Sequence, residues 1–205
     1  SNVRMARPHA GHQALLQLES LVPGLSIVTQ NVDGLHQLAG SRDVIELHGN
    51  ILRSKCHVTG RAISAEWLAD SPLEAPQSPY VSHGHARPDV VWFGEMLPRQ
   101  QLEKAMETAV RCDACLSVGT TSLVQPAASL PLMALENGAL LIEINPVETP
   151  LSLHADLCLR GPASTMLPSL VAQLAAWKRD PDAAHEGLEE LRMLTRGALA
   201  EMRSL

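Results

Sequence analysis

Ala139-Leu140-Leu141-Ile142-Glu143-Ile144 is an apolar run of strand length, bounded by Asn137-Gly138 on one side and Asn145-Pro146 on the other. A nearly continuous apolar run marks a strand buried on both faces, as strands of parallel sheets are. Upstream, residues 126–137 carry apolar positions at helical spacing, with Pro131 expected to kink or interrupt them. Before them, Cys115-Leu116-Ser117-Val118 repeats the strand pattern and stops at Gly119. Residues 98–111 return to helical period through Leu102, Ala105, Met106, Ala109 and Val110, with Pro98 suited to the first turn. Further out, Val90-Val91-Trp92, Val44-Ile45-Glu46-Leu47 and Leu25-Ser26-Ile27-Val28-Thr29 read as short buried strands. Residues 9–21 place Ala14, Leu15 and Leu18, with Val22 just beyond, at helical spacing before Pro23-Gly24 stops them. Helix alternating with short apolar strand predicts an α/β fold, a parallel sheet with helices on both faces.

Composition narrows the function classes. The chain has 205 residues, 45% hydrophobic and 19% charged, which is globular and not disordered. Sixteen Lys and Arg against 22 Asp and Glu give a net charge of −6, so no global field exists for gripping nucleic acid. Aromatics are only 2%, too few for base-stacking platforms. No apolar run approaches the roughly 20 residues that span a bilayer. Ser1-Asn2-Val3-Arg4 carries no secretion pattern, and four Cys make no disulfide scaffold, so a cytoplasmic location is expected.

Two stretches leave the α/β rhythm. Residues 56–88, with Pro72, Pro76, Pro79 and Pro88 and little periodicity, read as a small module inserted between 8–55 and 89–176. Residues 177–205 form a helical extension, where Leu188, Leu191, Leu194, Ala198, Met202 and Leu205 make an apolar stripe beside Glu186, Glu189, Glu190, Arg192 and Arg196. Such a stripe docks on its own domain or joins a second copy in a homo-oligomer.

Open parallel sheets bind ligands at the carboxyl ends of their strands. Here those ends are Gln30-Asn31-Val32-Asp33, His48-Gly49, Phe93-Gly94-Glu95, Gly119-Thr120-Thr121-Ser122 and Asn145-Pro146. Gly119 to Ser122 suit a ribose or phosphate through close backbone approach and hydroxyl donors, or simply cap a strand-to-helix turn. Neither G-x-G-x-x-G nor Walker spacing is present. His48 is placed to act as a general base near neutral pH, or as a hydrogen-bonded structural histidine. Asn31 and Asp33 alternate, so both are expected to face one pocket.

Thr29-Gln30-Asn31-Val32-Asp33-Gly34-Leu35-His36, Ala39-Gly40 and Glu46-Leu47-His48-Gly49 together resemble the central signature of the sirtuins, the NAD-dependent protein deacylases. Arg87 to Glu95, Val118-Gly119-Thr120-Thr121, Glu143-Ile144-Asn145 and Gly161-Pro162-Ala163 follow in that family's order. The resemblance runs from about Pro8 to Leu174. Pro8-His9-Ala10-Gly11-His12 and Val90 to Glu95 look most like the bacterial and mitochondrial class that includes desuccinylases.

The resemblance implies a Rossmann-like fold with NAD as the cofactor and acyl-lysine proteins or peptides as partners. It implies that Gln30, Asn31, Val32 and Asp33 line the nicotinamide and ribose pocket, with Asn31 and Asp33 catalytic alongside His48. His48 would be the base that takes a proton from a ribose hydroxyl. Gly119, Thr120 and Thr121 would meet the phosphate and ribose side, and Asn145, Pro146, Val147 and Ala163 the adenosine end. Val90, Val91, Trp92, Phe93, Gly94 and Glu95 would offer backbone to an extended peptide that adds as a strand. Mono-ADP-ribosyl transfer on the same scaffold and a non-catalytic nucleotide-binding module are the alternatives.

Three departures from the family pattern shape further expectations. The family's opening strand and Gly-Ala-Gly phosphate loop are not in this chain, so weak NAD binding and little turnover are expected of residues 1–205 alone. The family's small module holds zinc on two Cys pairs. Here Cys56 matches the first ligand, Thr59 stands at the second, and the later pair falls near Tyr80 and His83. Cys56, His57, His83 and His85 could only improvise a site, so no zinc is expected, and the module is expected to pack through Trp67 and Leu68. Cys112 and Cys115 read as structural. The Tyr and Arg that mark succinyl-directed members are not here, Tyr80 being the only tyrosine.

Overall fold

The computed structural model describes residues 5–70 and 76–180. Helix α1 (Ala10–Leu21) opens on a reciprocal cap: the Gly11 N–H donates to the His9 ring, and the His9 N–H donates to His12 Nδ1. Strand β1 (Ile27–Thr29) leads through the short α2 (Leu35–Ala39) to β2 (Val44–Glu46). These two strands pair in parallel, with Ile27 opposite Val44 and Thr29 opposite Glu46. Helix α4 (Arg99–Arg111) follows after the small module described below, then β6 (Ala114–Val118), α5 (Leu130–Glu136), β7 (Leu140–Ile144), β8 (Leu157–Leu159) and α6 (Ala163–Arg179). Strands β6, β7 and β8 form a second parallel sheet in that order.

Helices cover both faces. Ala14 and Leu18 of α1 and Leu167, Leu170 and Val171 of α6 pack with Ile142, Ile144 and Leu159. Ala105 and Ala109 of α4 and Leu130 and Ala134 of α5 pack with Ile45 and Leu47. Strand β6 divides its side chains between these layers: Leu116 and Val118 meet the first cluster, Cys115 the second. That two-residue alternation is the pleat of a strand covered on both sides. Contact between α1 and α6 requires Gly11, because a Cβ there would sit 2.9 Å from the Ala163 carbonyl oxygen.

The structure differs from the sequence reading in four places. Val90-Val91-Trp92 is not a parallel strand. Strand β5 (Ala86–Val90) instead pairs antiparallel with β3 (Gly49–Cys56), and β4 (Ala62–Ile63) pairs with the other edge of β3. Gly49 makes this possible: it adopts φ +78° directly opposite Val90, and a Cβ there would lie 2.1 Å from the Asp89 carbonyl oxygen. This antiparallel sheet runs from Gly49 to Val90 and so extends beyond the 56–88 stretch on both sides. Second, the module does not pack through Trp67: Cys56, Ile63 and Ser78 are among its buried residues, while Trp67 on α3 (Ala65–Ala69) is half exposed and donates its indole N–H to the Gln77 carbonyl. Third, the 126–137 stretch is a 3-10 turn (Ala127–Ser129) followed by α5, so the interruption falls just before Pro131, which stands in the first turn of α5 where its missing N–H costs nothing. Fourth, β8 and α6 lie in a stretch where sequence periodicity indicated neither.

The apolar stripe from Leu188 to Leu205 lies outside the described residues. Among the described residues no helix is long and apolar enough to cross a membrane.

Candidate active site

The carboxyl ends of all five parallel strands carry the polar loops. After β1, the Asn31 N–H donates to Thr29 Oγ1 and the Leu35 N–H to Asp33 Oδ1, so Thr29 and Asp33 fold the Gln30–Asp33 loop with their own side chains. The Val32 carbonyl accepts from the Ile51 N–H at 2.8 Å, tying this loop to β3. At the end of β2, Glu46 gathers Gln37 and Asn50 at 2.8 Å and Arg53 at 2.5 Å. His48 follows two residues later. Its backbone carbonyl accepts from the Val91 N–H at 2.9 Å, and its Nδ1 is buried without a partner. His48 and the Val90–Glu95 segment, remote in sequence, are therefore neighbours.

The loops after β6 and β7 are joined as well. Asn145 donates from Nδ2 to the Thr120 carbonyl at 2.7 Å, and Asn145 Oδ1 accepts from the Val147 N–H. Thr120 Oγ1 accepts from the Ser122 N–H. Beneath them lies a buried ion pair. Arg160 donates from Nη1 to Glu143 Oε2 at 2.6 Å and from Nη2 to Ser152 Oγ at 2.8 Å. Thr149 and Ser152 hydroxyls donate to the same carboxylate. Burial alone would raise the Glu143 carboxyl, but hydrogen bonds from Ser152, Thr149 and Arg160 outweigh it and hold the group below the usual range. This network fixes the turn that carries Asn145 and Val147.

Between the two parallel sheets lies a cavity of about 580 Å³. Gln30, Asn31, Gly119, Thr120, Thr121 and Ala163 line it, joined by Ser117 and Ser122. Among the described residues, β1 has no strand partner on the side away from β2, nor β6 on the side away from β7. Both open edges contribute to the cavity wall, with Leu15 and Leu167 on one side and Ala105 and Ala109 on the other. Val32, Asp33, His48, Asn145, Pro146 and Val147 do not line it, and they belong to the loops around it. Cys112 and Cys115 reach the wall, where burial raises both thiols, Cys115 to about 11; they are inert as nucleophiles.

Sequence reading missed His9, His12 and His36, which line the same cavity. Their rings stand in a row, tilted to one another, with centroids 4.2 and 4.9 Å apart. Burial lowers His12, helped by its neighbours His9 and His36 against Asp33. Burial also lowers His36, with Asp33 opposing. The spacing Pro8-His9-Ala10-Gly11-His12 was the available signal, but only the fold brings His36 of α2 beside it.

The residues around Cys56 do not fit a zinc site. Cys56 is buried, Ser78 and Thr59 hydroxyls hydrogen-bond it, and Val81 lies against Gly84 beside its sulfur. Burial would raise this thiol, yet those hydrogen bonds bring it down to about 6. The later pair is thus Ser78 and Val81, not Tyr80 and His83. Tyr80 instead donates to the Ala62 carbonyl under the Arg61 guanidinium, and His57 and His85 stack at 5.7 Å on the exposed edge. Hydroxyls and a methyl cannot replace thiolates as zinc donors.

The chain is similar to known proteins over most of its length. A family model described as the Sir2 family matches residues 2–126. NAD-dependent protein deacylase 1 of Caldanaerobacter subterraneus subsp. tengcongensis is 46% identical over 157 residues, covering 76% of this chain and 63% of that protein. NAD-dependent protein deacylase of Aquifex aeolicus is 45% identical over 166 residues, covering 80% and 68% respectively. The chain therefore spans about two thirds of the length of these relatives. A solved complex of a Sir2 homolog with NAD matches with TM-score 0.78 at 42% identity, covering 85% of this chain and 67% of that one. Sir2Tm bound to a propionylated peptide matches with TM-score 0.75 at 31% identity, covering 84% and 73%.

Proposed function

This chain belongs to the Sir2 family, and from that premise we propose that it removes acyl groups from lysine side chains with NAD as the consumed co-substrate. One observation carries the reading: His48, with an unpartnered buried ring nitrogen, is hydrogen-bonded through its backbone to Val91 at the start of the peptide-binding segment. A base and a peptide edge held in one frame are what transfer of an acyl group from lysine requires.

The residues present fit a dinucleotide. His36 Nδ1, Ser117 Oγ and Ser122 Oγ on the cavity wall are buried polar atoms without partners. When bound, NAD supplies the electrophilic ribosyl carbon and the nicotinamide leaving group. Gln30, Asn31, Gly119, Thr120 and Thr121 orient the nucleotide and exclude water. Asn145, clamped to Thr120, holds the adenosine end with Val147. His48 accepts a proton at a ring nitrogen. Val90 to Glu95 take the acyl-lysine peptide as an added strand. Relatives named as protein deacylases and a related structure holding a propionylated peptide support this substrate class. We place the reaction in the cytoplasm, where the free thiols of Cys56, Cys112, Cys115 and Cys158 stay reduced.

Mass spectrometry of a reaction of the full-length protein with NAD and acyl-lysine peptides tests the proposal. The expected products are free-lysine peptide, nicotinamide and O-acyl-ADP-ribose, with His48→Ala lowering the rate about 10²–10⁴-fold. ADP-ribose attached to protein, with the peptide still acylated, is the result that refutes it.

A further inference from the structure

Arg87 lies outside the Val90–Glu95 segment, yet it is the side chain that gives this segment its shape. Its Nη1 donates to Glu95 Oε1 at 2.6 Å, and its Nη2 donates to Glu95 Oε2 at 3.0 Å. The same Nη2 donates to the Val90 carbonyl at 2.7 Å, so one guanidinium grips both ends of the turn. Glu95 closes the loop from the other side: its Oε2 accepts from the Trp92 N–H at 3.1 Å, and its own N–H donates to the Trp92 carbonyl at 3.0 Å. The guanidinium carbon lies 5.8 Å from the Trp92 ring centroid, within cation–π range.

Little else holds this turn. Phe93 is 103% exposed and Met96 92%, so neither packs against the body of the protein. A turn with its apolar side chains in solvent gains no hydrophobic anchoring, and the bidentate ion pair supplies the order instead. At its other end the turn is continuous with the Val91–His48 hydrogen bond, so its shape and the position of His48 share one frame.

We propose that Arg87 is a positioning residue for acyl-lysine substrate, clamping residues 90–95 through Glu95 so that a bound peptide lies in register with His48. This inference rests on the deacylase reading above. The pairing is geometric as well as electrostatic. Arginine presents its donors in a fixed planar fork that matches a carboxylate, whereas lysine offers a single point charge. Arg87→Lys therefore keeps the charge and the fold while losing the fork, which separates positioning from general destabilisation.

Two measurements on the full-length protein test this. One is the affinity of a fluorescent acyl-lysine peptide, read by anisotropy. The other is amide exchange across residues 91–96. Arg87→Lys, Arg87→Met and Glu95→Gln are each expected to weaken peptide binding roughly tenfold or more and to speed exchange at Trp92 and Glu95. Peptide KM should rise far more than KM for NAD. The double variant Arg87→Met with Glu95→Gln should lose no more than either single one, because both remove the same clamp. Peptide affinity unchanged in Arg87→Lys and Arg87→Met, or weakened with exchange at 91–96 unaltered, overturns the inference alone. A wild-type chain that binds no acyl-lysine peptide overturns the deacylase reading, and this inference with it.

Discussion

His9, His12 and His36 form a row of imidazoles on the cavity wall, and their titration sets a pH signature for the folded protein. Burial lowers His12 and His36 from the ordinary value of 6.5, with neighbouring imidazoles adding to the effect and Asp33 opposing it. As pH falls through 6.5, the unfolded chain takes up protons at these positions while the folded chain does not. Stability rises with pH wherever the unfolded state binds more protons, so here it falls as the solution is acidified below 6.5 and levels off once the folded histidines protonate. Urea midpoints measured on either side of that pH should show the decline, and His12→Gln with His36→Gln should flatten it. An equally steep decline in the double variant would mean that other groups govern acid sensitivity. Glu95 follows the same sign at lower pH: hydrogen bonds from Arg87 and from the Trp92 N–H hold its carboxyl at about 2, so its contribution to stability fades as pH falls from the ordinary 4.5 toward that value.

At the scale of elements, what the sequence revealed and what it hid have physical causes. Strands β6 and β7 were legible because apolar runs buried on both faces have no polar alternation to confuse them, and both end in polar loops. Strand β3 was not legible: Arg53, Ser54 and Lys55 interrupt its apolar pattern, because much of its surface meets solvent and the ion pairs of Glu46 and Asp89. Helix α6 was hidden by Pro168, although Met166, Leu167, Leu170 and Val171 form a coherent buried face once the helix is docked on α1. The small antiparallel module shows the same balance. Family resemblance located Cys56 and Thr59, but only the fold brings Ser78 and Val81 to complete the cluster around that sulfur. With hydroxyls and a methyl in place of thiolates, folding of this module draws on its β pairing and on the Tyr80–Ala62 and Arg61–Tyr80 contacts. Dialysis against a strong zinc chelator is therefore expected to leave the thermal midpoint unchanged. Release of about one equivalent of metal together with a fall in that midpoint would contradict this.

At the scale of the whole molecule, two parallel sheets and two layers of helices converge their strand ends on one cavity and its rim. The loops after β1 and β6 line that cavity from opposite sheets, and the Glu143–Arg160 pair stiffens the rim at β7. His48 and the Arg87-clamped turn stand together where β2 passes into β3. On the proposed function this arrangement couples a nucleotide to a lysine side chain, and such coupling leaves a stoichiometric trace. The most direct test counts nicotinamide released and lysine freed in the same reaction, for the full-length wild-type protein and for its His48→Ala variant. Equal amounts of the two, both falling together in His48→Ala, are the predicted result. Lysine freed without NAD, or nicotinamide released without freed lysine, would contradict the account.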